Sequence, residues 1–269
     1  MLPELIACDL DGTLLRDDGT VSARTRAALD AVRGHGTHLV LATGRPWVIA
    51  RRTAHALDLE SFVITSNGSY TVRAPSGEEF HSVWLETDVA VAVIAALRRV
   101  EPTLGFAIEY ERGMYNEAGF ADRLPHAIPS RDPLDDVLTT LDVGGRVRNV
   151  VVFGDRFDAS TPALRRLAVK ALDGTVDVEV KYAGLPFVQI APRGVDKAAA
   201  LETICSYLSI ERTEVVAFGD ESNDIGMLQW AGTGVAMATA PPEVLAVADE
   251  VTADNSGDGV AVVLERYLD

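Results

Sequence analysis

The sequence predicts an α/β protein: a parallel sheet with crossover helices built from both ends of the chain, and a smaller α+β domain inserted between them. Three observations carry this reading. Short apolar runs in the first third (LIACDL, THLVLATG, SFVITSNG) are separated by helix-length segments, as expected for strands buried on both faces. The middle of the chain loses that rhythm and alternates apolar with polar residues around turn signals. The last third returns to it, with TEVVAFGD and GTGVAMA. The boundaries fall so that residues 1–83 and 187–269 form the core and 84–186 the insert.

Taken in order, LIACDL is a buried strand, and SARTRAALDAVRGHG a helix with Ser22 as N-cap and Gly34 as its stop. THLVLATG and SFVITSNG are the next two strands. TDVAVAVIAALRRV is a helix with Thr87 as cap. GFAIEYERGMYNE alternates about Arg112-Gly113 and reads as a hairpin, followed by the proline-rich PHAIPSRDP. RVRNVVVFGD is a strand, and STPALRRLAVKAL a helix with Pro162 in its first turn. VDVEVKYAGLPFVQI holds two more strand-like runs. Then RGVDKAAALETICSYL is a helix, TEVVAFGD a strand, ESNDIGMLQWA a helix and GTGVAMA a short strand, with VLAVADEVT and DGVAVVLERYL closing the chain. No repeat or low-complexity tract interrupts it.

At 269 residues and 48% hydrophobic, the chain can bury a large core, and two domains fit its length. Its formal net charge of −16 argues against nucleic acid and anionic membranes as partners, since both need a basic footprint. A phosphorylated small molecule remains compatible, because one local cation reverses the sign at a single site. Cys8 and Cys205 sit in apolar contexts and read as small buried hydrophobes, not a disulfide. The opening MLPELIAC lacks a basic leader segment, and no apolar run reaches membrane-span length. A cytoplasmic protein, monomeric or a small homo-oligomer, is the expectation. His35, His38, His55, His81 and His126 lack metal-ligand spacing, and GTGVAMA and GDGVAVV lack the full dinucleotide fingerprint.

In parallel sheets, ligands bind beyond the carboxyl ends of the strands. There the sequence places Asp9 and Asp11, then Thr43 and Gly44, then Asp220 with Asn223 and Asp224 close behind. Carboxylates that converge repel and raise one another's pKa, and a divalent, oxygen-seeking cation such as Mg²⁺ between Asp9 and Asp11 would remove the difficulty. Thr43 offers a hydroxyl, and the backbone N–H groups near Leu10 and Gly44 can cradle an anion. Lys197 opens a helix, where a cation opposes the macrodipole unless an anion is bound there.

DLDGTLL, LATGRP, Lys197 and GDESNDIGML resemble, in order, the four motifs of the haloacid dehalogenase superfamily of phosphohydrolases. ITSNG, GVAMATAPPEV, ADEVT and DGVAVVL are similar to its Cof-like subgroup, and the insert to a type IIB cap. The resemblance implies a Rossmann-like core with the site between core and cap, and gating by cap motion. It implies that Asp9 is the nucleophile and a Mg²⁺ ligand. Asp11 would be the general acid and base, its carbonyl a second ligand. Thr43, Lys197 and Asn223 would hold the phosphoryl group together with the Leu10 and Gly44 amides. Asp220 would ligate the metal with Asp224 behind it. Dehalogenases of the family lack the second aspartate, so Asp11 points to phosphatase chemistry on a small phosphorylated metabolite such as a sugar phosphate. A phosphomutase or phosphotransferase using the same nucleophile, or a non-catalytic phosphate- or metal-binding module, are the alternatives. Glu221 stands where many relatives have glycine and is expected to be a surface-facing neighbour of the metal site, not a ligand. Arg45 and Trp47 are read as leaving-group contacts or as local salt bridge and packing. Glu109, Tyr110, Arg112 and Tyr115 are cap candidates for reading substrate.

Overall fold

The structure, a computed structural model, describes residues 2–110, 113–123, 133–141, 146–157, 161–181 and 186–269. The chain divides into two units, Met1–Ser82 with Asp196–Asp269, and Val83–Val195.

The first unit begins with β1 (Leu5–Cys8), α1 (Ala23–Gly34), β2 (His38–Ala42), α2 (Trp47–Ala56) and β3 (Phe62–Thr65). A hairpin of β4 (Tyr70–Arg73) and β5 (Glu78–Ser82) follows. The second unit contains α3 (Thr87–Val100), β6 (Gly105–Tyr110), β7 (Gly113–Asn116), α4 (Leu138–Leu141), β8 (Val147–Phe153), α5 (Thr161–Leu172), β9 (Val178–Lys181) and β10 (Val188–Pro192). The first unit resumes with α6 (Lys197–Leu208), β11 (Val215–Gly219), α7 (Ile225–Trp230), β12 (Thr233–Met237), α8 (Pro242–Leu245), β13 (Glu250–Thr252) and α9 (Gly259–Leu268).

The core sheet runs β13-β12-β11-β1-β2-β3-β4-β5. The first six strands are parallel, and β4 and β5 add an antiparallel edge. Successive residues of a strand point to opposite faces. Ile6, Cys8, Leu41 and Phe218 therefore pack with Leu29 and Val32 of α1 and Val260 and Leu264 of α9. Leu5, Ala7, Val40 and Ala217 pack on the other side with Leu201 and Ile204 of α6 and Leu228 of α7. The register sets Cys8 beside Leu41 on one side and Phe218 on the other, so the residues just beyond these strands emerge at one edge. Ser22 caps α1 as the sequence suggests, its hydroxyl accepting from the Thr25 amide.

The second unit is an antiparallel sheet, β7-β6-β8-β10-β9. One face carries Phe106, Ile108, Val150, Val152, Val188 and Ile190 against Val93 and Leu97 of α3 and Leu164 and Ala168 of α5.

Four expectations need correction. β10 was assigned to the core, but Ile190 pairs with Val150 and Val180, so the insert runs to Val195 and not to 186. An apolar run such as FVQIAP looks alike in either sheet, and only its partners distinguish them. Thr87 is the first helical residue of α3, with Glu86 at the cap position. β4 and the polar edge strand β5 beside it are announced by no apolar run. ESNDIGMLQWA is a 3₁₀ turn, Ser222–Asp224, before α7 begins. Arg112, His126 and nearly all of PHAIPSRDP lie outside the described residues.

Phe106 is fully buried in the second unit. Phe106→Ala is expected to destabilise that unit by about 3–5 kcal/mol in urea unfolding; a loss below about 1 kcal/mol would contradict this packing.

Candidate active site

The loop after β1 is closed on itself. Asp9 N–H donates to the Phe218 carbonyl (3.0 Å), tying the loop to β11, while Leu14 and Leu15 amides donate back to Asp9 and Leu10 carbonyls (3.2 and 2.8 Å). The Leu10 side chain is buried in the core between the two aspartates. Gly12 has φ +81°, and a Cβ there would lie 2.2 Å from Asp220 Oδ2, so both conformation and proximity require glycine. The Thr13 hydroxyl donates to Asp220 Oδ1 at 2.8 Å. The loop thus holds one aspartate and shapes the place of another.

Lys197 is the first residue of α6, whose cap is Asp196, its side chain accepting from the Ala199 amide. The lysine is 0% exposed. Its Nζ donates to Asp9 Oδ1 at 2.5 Å and to Asp224 Oδ1 at 2.6 Å. Asp224 Oδ2 accepts from the amides of Asp220 and Glu221, both at 3.0 Å. Both Asp224 oxygens are therefore engaged within the protein, and its carboxylate fixes Lys197 and the end of β11. Glu221 is half-buried, and its carboxylate accepts from the Ser222 amide (3.4 Å).

Ligand oxygens of Asp9, Asp220 and Asp224 lie within 4.8 Å of one another. Burial raises the Asp9 carboxyl well above its ordinary value; Lys197 pulls it down, and Asp224, Asp220 and Asp11 push it up. Burial and then the Asp224 charge push Asp220 up to about 7, against the pull of the Thr13 hydroxyl. Burial alone would lower the Lys197 ammonium, but the charges of Asp224 and Asp9 outweigh it and hold it above its usual range. One ammonium does not neutralise three carboxylates. Crowded hard oxygen donors that resist ionisation suit a divalent cation of the Mg²⁺ type, with Asp9 and Asp220 as the side chains to hold it.

Asp11 does not join this cluster. Its side chain is 56% exposed and forms a two-point ion pair with Arg45, Nε donating to Oδ2 at 2.7 Å and Nη2 to Oδ1. The expectation that a cation between Asp9 and Asp11 answers their repulsion is corrected in this respect: the Asp11 side-chain charge is met by a guanidinium.

Thr43 and Gly44 lie beyond the end of β2. Thr43 is buried, its amide donating to the Ile64 carbonyl (2.9 Å) and its hydroxyl accepting from the Arg45 amide (3.1 Å). Asn223 Nδ2 donates to Asn67 Oδ1 at 2.8 Å. Of the two readings of Arg45, the structure shows the salt bridge, while Thr13 and the pairing role of Asn67 went unread in the sequence. Their signals are the threonine of DGT and the turn-forming SNG. Trp47 packs against the core cluster. In the second unit, the Tyr110 hydroxyl and Thr140 Oγ1 are hydrogen-bonded (3.1 Å), the Tyr115 ring stands edge-on to Tyr110, and buried Glu109 accepts from Asn149 Nδ2 (2.7 Å).

The sequence profile of the haloacid dehalogenase-like hydrolases matches residues 6–264. The 5-amino-6-(5-phospho-D-ribitylamino)uracil phosphatase YitU of Bacillus subtilis is 30% identical over 99% of this chain and 98% of its own. The pyridoxal phosphate phosphatase YbhA of Escherichia coli is 31% identical over the full length of both. Among solved structures, the subclass IIB sugar phosphatase BT4131 superposes with a TM-score of 0.81 at 23% identity, covering 98% of each chain. That likeness establishes the fold, including the inserted cap.

Lys197→Met leaves Asp9 and Asp224 buried without their cation. It is expected to cost about 3–5 kcal/mol of stability, measured by urea unfolding in chelator; unchanged stability would contradict the bridging geometry.

Proposed function

The chain belongs to the haloacid dehalogenase-like hydrolases, and from that premise we propose that it is a Mg²⁺-dependent phosphatase of a small phosphorylated metabolite, with Asp9 as its nucleophile. The observation that carries the reading is the buried Lys197 bridging Asp9 and Asp224 beside Asp220. Burying these charges is expensive, and such clusters concentrate at sites that perform chemistry. The relatives named for phosphatase activity on a ribitylamino-uracil phosphate and on pyridoxal phosphate support a compact phosphorylated substrate, and a sugar phosphate belongs to the same class.

In the proposed reaction an Asp9 carboxylate oxygen attacks phosphorus, and the bond from phosphorus to the leaving oxygen breaks. Lys197 and the amides of the loops after β1 and β2 offset charge on the phosphoryl oxygens, with Thr43 and Asn223 supplying hydrogen bonds. Asp11 gives its proton to the leaving alkoxide, then accepts one from the water that cleaves the aspartyl-phosphate. The ion pair with Arg45 requires Asp11 ionised, so donating the proton requires that pair to be open. Mg²⁺, held by Asp9, Asp220 and the Asp11 carbonyl, would supply electrostatic stabilisation of the transferred group. Asp224 keeps Lys197 and the end of β11 in place.

Phosphate release from a panel of sugar, nucleotide, flavin and pyridoxal phosphates is expected to require Mg²⁺ and to fall to background in Asp9→Asn. No release by folded, metal-loaded protein would overturn the reading. A phospho-aspartate that persists in water would instead indicate a phosphotransferase.

A separate expectation concerns the cation itself. Mg²⁺ at a hundredfold excess over its dissociation constant should stabilise the parent by about 2.7 kcal/mol in thermal or urea unfolding, and Asp220→Asn should lose most of that gain. Equal stabilisation of both proteins would remove Asp220 from the metal site.

A further inference from the structure

The turn after β3 is strained. Ser66, Asn67 and Gly68 have φ of +52°, +55° and +100° in succession. Asparagine tolerates the left-handed region better than most residues, serine does not, and such conformations persist only when the surroundings pin them. All three residues are buried.

Three loops hold this turn. The Ser66 amide donates to the Arg45 carbonyl (3.0 Å) and the Asn67 amide to the Thr43 carbonyl (3.1 Å). Gly68 lies so close to the residue before Lys197 that a Cβ would stand 2.1 Å from the Asp196 carbonyl oxygen. Asn67 Oδ1 accepts from Asn223 Nδ2 at 2.8 Å. One turn therefore touches the segments that carry Thr43, Lys197 and Asn223.

The last contact has chemical content. A side-chain amide can face either way, because rotation of its end group is soft. An ionised phosphate offers only acceptors, so a helpful Asn223 must present N–H and not Oδ1. Asn223 Oδ1 is buried and has no hydrogen-bond partner among the described residues, so it does not decide the orientation. The contact that matches this orientation is the one in which Asn67 Oδ1 accepts from Nδ2. An amide nitrogen carries two hydrogens, and the second remains for an anion.

We infer that Asn67 is a positioning residue: its side chain fixes the orientation of Asn223, and its backbone fixes the loop of Thr43 and Gly44, so the phosphate-binding groups are arranged before substrate arrives. The inference rests on the phosphatase reading above and names a residue to which that reading gives no role.

The test is a double-mutant cycle. Asn67→Gly keeps the left-handed backbone open and deletes the amide, while Asn67→Asp retains an acceptor for Asn223. On the best substrate of the panel, Asn67→Gly is expected to lower kcat/KM roughly tenfold with little change in thermal midpoint. Asn67→Asp should recover most of the loss. In an Asn223→Ala background, Asn67→Gly should have little further effect. Additive losses, or an Asn67→Gly variant as active as the parent, overturn the inference. Should Asn67→Gly fail to fold, Asn67→Asp decides: activity near the parent's supports the role, and activity as low as Asn223→Ala overturns it. The same cycle is run on the dissociation constant of inorganic phosphate with Mg²⁺, by calorimetry. A parent that binds phosphate but hydrolyses nothing defeats the phosphatase reading, and the binding cycle then judges Asn67 alone. A parent that does neither defeats both.

Discussion

The constraint on which the rest of this structure depends is a single ammonium, wholly buried, shared by two carboxylates. Placing Lys197 between Asp9 and Asp224 strips three charges of water, and their mutual attraction repays that only when every remaining oxygen is satisfied. The local architecture follows from this requirement. Asp224 spends its second oxygen on the two amides at the end of β11, Asp220 is held by Thr13, and Gly12 is reduced to a hydrogen so that Asp220 can come close. A hydrophobic cluster of the same volume would hold these strands together at lower cost. The charged arrangement is a marker of chemistry, not of stability.

Two aspartates separated by one residue acquire opposite surroundings. Asp9 is drawn under the sheet edge by its bond to the Phe218 carbonyl and by Lys197, whereas Asp11 faces outward onto a guanidinium. Their difference is produced by the tight return of the loop onto Asp9 and Leu10. A carboxylate pinned among charges suits a fixed nucleophile. One that is itself exposed to solvent, beside a guanidinium, suits a group that must gain and lose a proton.

Much of this was legible in the sequence because it depends on local pattern. Runs such as LIAC and VVAFG announce buried parallel strands, and residues just past such strands emerge at one edge, so Asp9, Thr43 and Asp220 follow from order alone. Lys197 could be read from its misfit at a helix N-terminus. What depends on partners distant in sequence was not legible. Arg45 pairs with Asp11, Asn67 with Asn223, and β10 with β8 through contacts that no spacing encodes. The hairpin of β4 and β5 was missed because β5, an edge strand partly exposed to water, lacks the apolar run that reveals a central one, and β4 beside it buries only Thr71 and Val72 at its centre.

The strand order also bears on how the chain is made. β1 lies at the centre of the core sheet with Leu5 opposite Val215, yet the whole second unit, Val83–Val195, is synthesised between them. On the ribosome the insert has all its own strands available before β11 exists, while β1 waits with one edge unpaired. Units fold as they are completed during synthesis, and non-local strand pairing is slow. The core sheet therefore cannot be completed until β11 has been made, and the site at its edge comes into being only when β11 and the Asp220–Asp224 segment take their places. Nascent chains halted before β11 would carry Asp9 and Lys197 but no assembled cluster, so the charged centre matures at the end of synthesis.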